Sequence, residues 1–212
     1  MTMTSHVRFT IVNIGTLSMN KFWGETERLR SATATCTLLE GEGQRLLVDP
    51  SPYPERLAPM LFARTGLRPD SIDTVFVTHW HGDHRFGLDL FPGAAWLMAE
   101  QGLNEWREQN PQDSESIDRF LLAEGSLPEG MSLFASPGHT YGHHSLLVET
   151  RWGNLIVSGD AVMSFDWFEA NEGYHNCVDL DLATETIHRI RQAADLVVPR
   201  HANWFPTASS FP

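Results

Sequence analysis

Four residues spaced as His79-x-His81-x-Asp83-His84 have the types and spacing of a metal-binding loop. In an extended segment, residues i and i+2 project to one face, so His79 and His81 can bind one ion together. Gly82 permits a sharp turn, after which Asp83 and His84 are placed to reach a second ion, with Asp83 also suited to cap a following helix. A chance match to this pattern is expected roughly once in a thousand such chains. The motif therefore predicts a loop that serves two metal ions.

Further potential ligands follow short apolar runs that are typical of buried strands. Asp49, His79, His139, Asp160 and His201 each come within a few residues of the end of such a run. The runs span residues 46–48, 75–77, 131–134, 155–157 and 196–198. Ligand sites in α/β proteins lie beyond the carboxyl ends of strands, so these five side chains are expected around one cleft. Asp49 has two open interpretations, a supporting role behind the ligands or simple capping of its strand.

The elements that position these residues are predicted from apolar periodicity. Additional strands are expected at residues 9–14, 33–39 and 146–148, and helices at 54–64, 83–91, 115–124 and 181–194. Strands interspersed with helices, without a linker rich in Pro, Gly or Ser, indicate a layered α/β fold. One domain over residues 1–212 is expected.

Composition excludes several classes of protein. The chain has 212 residues, of which 42% are hydrophobic and 20% charged, so a folded globular protein is expected. Its net charge of −12 disfavours nucleic acid and anionic membranes as partners without excluding a local basic groove. Only Cys36 and Cys177 are present, far apart, and no apolar segment is long enough to cross a bilayer. The start of the chain does not resemble a signal peptide, so a cytoplasmic location is expected.

The ordered motifs resemble those of the metallo-β-lactamase fold superfamily. These are an Asp after an early strand, His-x-His-x-Asp-His, a later His, an Asp and a final His, and here they span residues 46–201. The resemblance implies an α/β (α+β) fold: a four-layer αβ/βα sandwich of two facing mixed sheets, flanked by helices, with the metal site at one edge.

The resemblance also implies a ligand set for two divalent ions. His79, His81 and His139 would bind the first ion, Asp83, His84 and His201 would bind the second, and Asp160 would bridge the two. An all-His/Asp set favours zinc, while manganese or iron stay open because no thiolate narrows the choice. In the ligand set that the resemblance implies, Asp83 and Asp160 are the predicted catalytic carboxylates.

Supporting residues follow from the same resemblance. Asp49 would support the ligands from behind, and the segment from Gly138 to Ser145 is similar to a Gly-His-Thr-x-Gly-His-x-Ser pattern of hydrolases in the superfamily. That likeness gives Thr140 and His143 supporting roles.

Departures from the family's patterns narrow the function. True β-lactamases generally lack an Asp at the bridging position, and glyoxalase II-like thioesterases carry a helical domain beyond the final His, whereas eleven residues follow His201 here. The sequence Pro199-Arg200-His201-Ala202 stands where Gly-His-Gly is usual. The substrate preferences of another branch of the superfamily are therefore not carried over to this chain.

The predicted function is hydrolysis of a small ester, thioester or lactone by a hydroxide that bridges the two ions, because metal coordination lowers the pKa of water from about 15.7 toward about 7. One alternative is a phosphodiesterase or nuclease of the same fold. Another, from a different class, is a metal-containing protein that binds a ligand without turnover. The expected partner is a small molecule, and the sequence does not predict an oligomeric state.

Aromatic side chains near the ligand motifs are candidates for the substrate pocket, although packing in the core is an equally physical interpretation. They are Trp23, Phe165, Trp167, Phe168, Tyr174, His175 and Trp204. The segment 18–24, which holds Trp23, is expected to be a flap over the site. Lys21, Arg85 and Arg200 are candidates to bind a carboxylate or a phosphate.

Overall fold

Eleven strands form two mixed sheets in the computed structural model, which describes residues 6–207. The first sheet has the order β1-β2-β3-β4-β5-β6, and the second has the order β11-β10-β9-β8-β7. The strands of the first sheet are β1 (Arg8–Asn13), β2 (Cys36–Gly41), β3 (Gln44–Val48), β4 (Thr74–Phe76), β5 (Ala95–Met98) and β6 (Leu121–Leu122). Those of the second sheet are β7 (Met131–Ala135), β8 (His144–Thr150), β9 (Gly153–Val157), β10 (Leu196–Val198) and β11 (Phe205–Pro206).

Within residues 6–207, five α-helices accompany the sheets. They are α1 (Pro54–Thr65), α2 (Glu100–Gln109), α3 (Ser114–Ile117), α4 (Phe165–Ala170) and α5 (Leu180–Ala193). The side chain of Asp179 caps α5 by accepting a hydrogen bond from the backbone N–H of Leu182. Among residues 6–207, no helix has the length and apolar character needed to cross a membrane.

Alternation along the buried strands divides the core into layers. In β9, Leu155 and Val157 pack between the two sheets, while Ile156 packs against α5 on the outer face. In β3, Leu46 packs between the sheets and Leu47 packs outward against α1. Because side chains on a strand alternate faces, each sheet buries one face against the other sheet and one against helices. This arrangement confirms the predicted four-layer sandwich.

Two parallel strand pairs bring the predicted ligands to the same edge. Val48 of β3 is in register with Phe76 of β4, and Val157 of β9 is in register with Val198 of β10. The loops that follow these strands therefore leave the sheets side by side, as the strand ends predict.

Several local predictions differ from the structure. The expected helix over 83–91 is two 3-10 turns, Gly82–His84 and Leu88–Leu90, so Asp83 does not cap a long helix. The expected helix over 115–124 is shortened to α3, because Leu121 and Leu122 pair with the parallel edge of β5. Helix α2 and strand β5 were not predicted; Gly102 inside α2 lowers its helix propensity, yet Leu103 and Trp106 bury its inner face.

The ends of the chain, residues 1–5 and 208–212, lie outside the described residues. The expectation about a signal peptide falls mainly on the first of these segments. The single domain over residues 1–212 stays a prediction.

Candidate metal centre

Three histidines and one aspartate converge at the edge of the two sheets. The ligand atoms of His79, His81, His139 and Asp160 all lie within 4.8 Å of one another. His81 Nδ1 is 2.9 Å from both His79 Nε2 and His139 Nε2, and His139 Nε2 is 3.1 Å from Asp160 Oδ2. Tetrahedral zinc with Zn–N bonds of about 2.0–2.1 Å separates neighbouring ligand nitrogens by roughly 3.3–3.4 Å. Small shifts of the rings would therefore accommodate a divalent ion.

The electrostatics of the cluster suit metal ligation. Burial lowers the pKa of His79, of His81 and of His139, the last to about 4, so the three imidazoles are neutral at pH 7. Burial raises the pKa of Asp160, but the charges of Arg200, His84 and His139 outweigh it and hold that pKa well below its ordinary value. Neutral imidazoles and an ionised carboxylate are the protonation states that bind a divalent ion. The donor set thus fits the ion that the sequence predicts.

The carboxylate of Asp49 contacts both ends of the histidine loop, residues 78–84. Its Oδ1 accepts a hydrogen bond from the backbone N–H of Thr78 at 2.9 Å, and its Oδ2 accepts one from Thr78 Oγ1 at 2.9 Å. The same Oδ2 lies 2.8 Å from His84 Nδ1, and Asp49 has a positive φ of 49°. The carboxylate therefore sets the orientation of His84 and of the residue preceding His79.

The residues predicted for a second ion are arranged differently. His84 Nε2 lies 2.7 Å from Asp160 Oδ1, and His84 has a pKa raised to about 10 because Asp160 and Asp49 outweigh the opposing effect of burial. Asp83, on the Gly82–His84 turn, binds the guanidinium of Arg200. His201 is buried. Among residues 6–207, no second group of three or more His, Cys, Asp or Glu side chains converges as the first does.

His143 and Thr140 lie beside the cluster, where the sequence places them. His143 is fully buried, and its Nε2 accepts a hydrogen bond from the backbone N–H of Asp160 at 3.1 Å. Thr140 is buried next to His139, with no hydrogen-bond partner for its hydroxyl. The structure supplies a physical role for His143, while the supporting role of Thr140 stays a prediction.

A cleft of about 460 Å³ opens beside the cluster; Asp83 and Arg200 line it, and Arg200 contacts Asp160 of the cluster. Its apolar walls include Leu17, Phe86 and Tyr174. The remaining lining residues are Ser18, Arg28, Arg30, Ser31, Ala32, Gly82, His175 and Asn176. The volume is in the range of pockets for small molecules, roughly 300–1,000 Å³.

The aromatic residues predicted for the pocket are distributed over several places. Tyr174 and His175 line the cleft, whereas Trp167, on α4, is buried against Tyr174 and Met163. Phe168 is also buried, in the core beneath α5, and Phe165 packs edge-on against Phe205. Trp204 packs against Phe9 in a separate groove. Trp23 is 58% exposed, and its indole N–H donates to Asp166 of α4.

Two of the cationic candidates are engaged elsewhere. Lys21 pairs with Glu172, and Arg85 lies 3.4 Å from Asp113 while its Nε donates to the carbonyl of Trp80.

The sequence interpretation missed Arg28 and Arg30 as cleft residues. Their only sequence signal was their position in the long segment between β1 and β2, which does not specify which side chains face the site.

Comparison with known proteins places this geometry in a family. The sequence pattern of the metallo-beta-lactamase superfamily matches residues 32–201, a range that holds every residue of the cluster. The chain belongs to this superfamily, and it is a hydrolase of the metallo-β-lactamase fold. The family and the His/Asp cluster together indicate that it binds a divalent metal.

Relatives of the chain include a lactonase and a thioesterase. An N-acyl homoserine lactonase from Bacillus cereus is 28% identical over 177 residues, which are 79% of this chain and 69% of the lactonase. An atrochrysone carboxyl ACP thioesterase from Emericella nidulans is 31% identical over 136 residues, 61% of this chain and 40% of the thioesterase.

Solved structures share the fold. A quorum-quenching N-acyl homoserine lactone lactonase superposes with a TM-score of 0.69 at 24% identity, covering 91% of this chain and 88% of the lactonase. At that identity the likeness establishes the fold alone.

Proposed function

We propose that this hydrolase cleaves a small ester, thioester or lactone, with a divalent ion, zinc in the first instance, held by His79, His81, His139 and Asp160. The observation that carries the proposal is the convergence of these four ligands, of which His81 is half-buried and the other three are buried, beside a cleft of small-molecule size. When bound, the ion would act as a Lewis acid toward the scissile carbonyl and lower the pKa of coordinated water toward about 7. The lactonase and the thioesterase named above act on substrates of this class, which supports the choice.

Two aspartates of the chain, Asp160 and Asp83, have different roles in the proposed reaction. Asp160 supplies a negative charge to the metal site. Its backbone N–H donates a hydrogen bond to His143, and this bond helps to fix the position of the carboxylate that faces His139. Asp83 lies where the cluster meets the cleft, and burial raises its pKa less than His84 and Arg200 lower it. Asp83 is therefore ionised at neutral pH and is the carboxylate placed to accept a proton during the reaction.

The cleft walls indicate the character of the substrate. Leu17, Phe86 and Tyr174 offer apolar contact, and Phe86 is itself supported by Tyr53, stacked at 4.2 Å between ring centroids. Arg28 lines the same cleft and can bind a carboxylate or another anionic group of the substrate, whereas Arg30, also in the lining, pairs with Glu25. A substrate with an apolar body and one anionic or strongly polar end matches this lining.

A phosphodiester is the second candidate substrate. The three arginines that line the cleft, Arg28, Arg30 and Arg200, favour it, since guanidinium groups bind phosphate well. The net charge of −12 opposes a long nucleic acid, so a small phosphodiester is the form that fits.

A substrate panel tests the proposal. Purified protein loaded with Zn, Mn or Fe is assayed on N-acyl homoserine lactones, other lactones, thioesters, p-nitrophenyl esters and bis-p-nitrophenyl phosphate. We expect the highest kcat/KM on a lactone, thioester or ester, its loss in His139→Ala, and its retention in His188→Ala, which alters an exposed histidine of α5. Activity confined to the phosphodiester would transfer the proposal to the second candidate.

The two-ion arrangement stays a prediction of the motifs. Its second ion would be held by Asp83, His84 and His201 with Asp160 as the bridge. For this ion to bind, Asp83 and Asp160 would have to release the guanidinium of Arg200.

A further inference from the structure

Arg200 places a positive charge between two carboxylates of the metal centre. One of its terminal nitrogens, Nη1, lies 2.5 Å from Asp160 Oδ2, and the other, Nη2, binds Asp83 Oδ2. Its side chain is only 7% exposed. Charged groups are rarely buried to this degree without a partner. Here the planar guanidinium of Arg200 contacts both aspartates, one through each terminal nitrogen.

The backbone fixes the root of this side chain. The N–H of Arg200 donates to the carbonyl of Val162 at 2.9 Å, and its carbonyl accepts from Thr35 N at 2.8 Å and from Thr35 Oγ1 at 2.6 Å. Arg200 lies two residues after β10, which pairs with β9 on one side and with β11 on the other. The guanidinium is therefore delivered to the two carboxylates by the same strand that delivers His201.

The guanidinium lies where the ligand motifs would put the second ion. Of the four side chains predicted to hold that ion, Asp83 and Asp160 contact Arg200, His84 lies between Asp49 and Asp160, and His201 is buried. In the first group of ligands, Asp160 is the member that contacts Arg200, through the same Oδ2 that lies 3.1 Å from His139 Nε2.

Charge balance makes the arginine and a second ion alternatives. One divalent ion, one guanidinium and the two carboxylates leave a net charge of +1 in the buried centre. Adding a second divalent ion while Arg200 stayed in place would raise that charge to +3 within a few ångströms. Like charges at such separations in a poorly hydrated site repel strongly.

We propose that Arg200 takes the place of the second metal ion, so that the centre works with one divalent ion and one guanidinium. This inference rests on the metal site of the proposed function. It assigns Arg200 the role of a fixed cation that neutralises Asp83 and Asp160 and faces the cleft, where it is available to an anionic transition state.

Metal stoichiometry tests the inference without reference to activity. Wild-type protein is saturated with Zn or Co, freed of excess ion, and analysed by native mass spectrometry and elemental analysis. We expect one ion per chain. Two ions per chain in the wild type would overturn the inference while leaving the proposed function intact, and no bound ion would remove the proposed function itself.

A variant set tests the role of the guanidinium directly. Arg200→Met keeps much of the side-chain volume and removes the charge, and we expect it to bind two ions. Adding Asp83→Asn to it should return the count to one. The control is Arg191→Met, because Arg191 is a half-buried arginine that pairs with Glu169 away from the centre; it should bind one ion. A count of one in folded, saturated Arg200→Met would overturn the inference.

Folding of the variant is measured in the same experiment. Without the guanidinium, Asp83 and Asp160 repel each other, so the melting temperature of Arg200→Met should rise with added zinc beyond the rise shown by the wild type. An equal rise in both proteins would contradict the exchange of arginine for metal. The Co-loaded proteins add a spectroscopic check, since a second cobalt in Arg200→Met should add visible absorption that the wild type lacks.

Discussion

His143 holds Asp160 through the backbone: the ring Nε2 of His143 accepts a hydrogen bond from the N–H of Asp160 at 3.1 Å. The direction of this bond follows from a chain of hydroxyls on the other side of the ring. Ser145 Oγ donates to the carbonyl of Ser158, so it accepts from Ser136 Oγ at 2.7 Å. Ser136 Oγ in turn accepts from His143 Nδ1 at 2.8 Å. His143 is therefore the neutral tautomer with its proton on Nδ1, in keeping with a pKa that burial lowers well below its ordinary value.

Loss of this chain should weaken the metal centre. We expect His143→Ala to reduce metal affinity by about 10- to 100-fold, because outer hydrogen bonds orient the ligands that bind the ion. Ser136→Ala should act through the same ring, so the double variant should lose less than the sum of the two single effects. The measurement is a competition titration with a chromophoric chelator. Additive losses would show that Ser136 and His143 act separately.

Gly138 sets the position of His139 against helix α5. It has a φ of 131°, and a Cβ at this position would come within 2.4 Å of the backbone nitrogen of Ala183. We expect Gly138→Ala to lower the free energy of unfolding by about 3 kcal/mol, from backbone strain and overpacking, and to weaken metal binding. Chemical denaturation of apo and metal-loaded protein measures both effects.

Gly93 provides the control for that substitution. A Cβ at Gly93 would meet no atom within 4 Å, and its φ is outside the left-handed region. Gly93→Ala should therefore leave stability and metal affinity close to the wild-type values. An equal loss in the two variants would indicate a general response to alanine rather than contact with α5.

Substitution of Trp23 and of Trp167 should distinguish a residue of a surface flap from a residue of the core. Trp23 is 58% exposed, whereas Trp167 is 3% exposed and packs against Phe22 and Tyr174. Trp167→Ala should cost about 3–5 kcal/mol of stability, and Trp23→Ala less than about 1 kcal/mol. If the segment 18–24 is a flap, Trp23→Ala should raise KM at nearly unchanged melting temperature. Unchanged steady-state kinetics would show that Trp23 has no part in substrate binding.

Metal removal should destabilise the folded protein. An ion that binds the native state at a free concentration 100-fold above its Kd contributes about 2.7 kcal/mol. We expect a chelator to lower the melting temperature, zinc to restore it, and His139→Ala to lose the response. His188→Ala should keep the response in full, since the side chain of His188 is solvent-exposed. A melting temperature insensitive to metal in the wild type would contradict binding at the buried cluster.

Much of the architecture was determined by the sequence alone. Continuous apolar runs such as 46–48, 155–157 and 196–198 are a local property of the chain, and they predict strands that are buried on both faces. The convergence of His79, His139 and Asp160 was predictable because strand ends in such folds meet at one edge. The local helix predictions were weaker, since pairing at the sheet edge converted residues 121–122 into a strand.

Only the tertiary structure decided which groups contact one another across the centre. No local pattern indicates that the long side chain of Arg200 reaches Asp83 and Asp160, because that contact depends on how the loops after β4, β9 and β10 are packed. The same holds for the cleft, two of whose arginines, Arg28 and Arg30, come from the segment between β1 and β2. Strand periodicity acts over a few residues, whereas the charge balance of a buried site depends on residues that are distant in sequence and adjacent only in the fold.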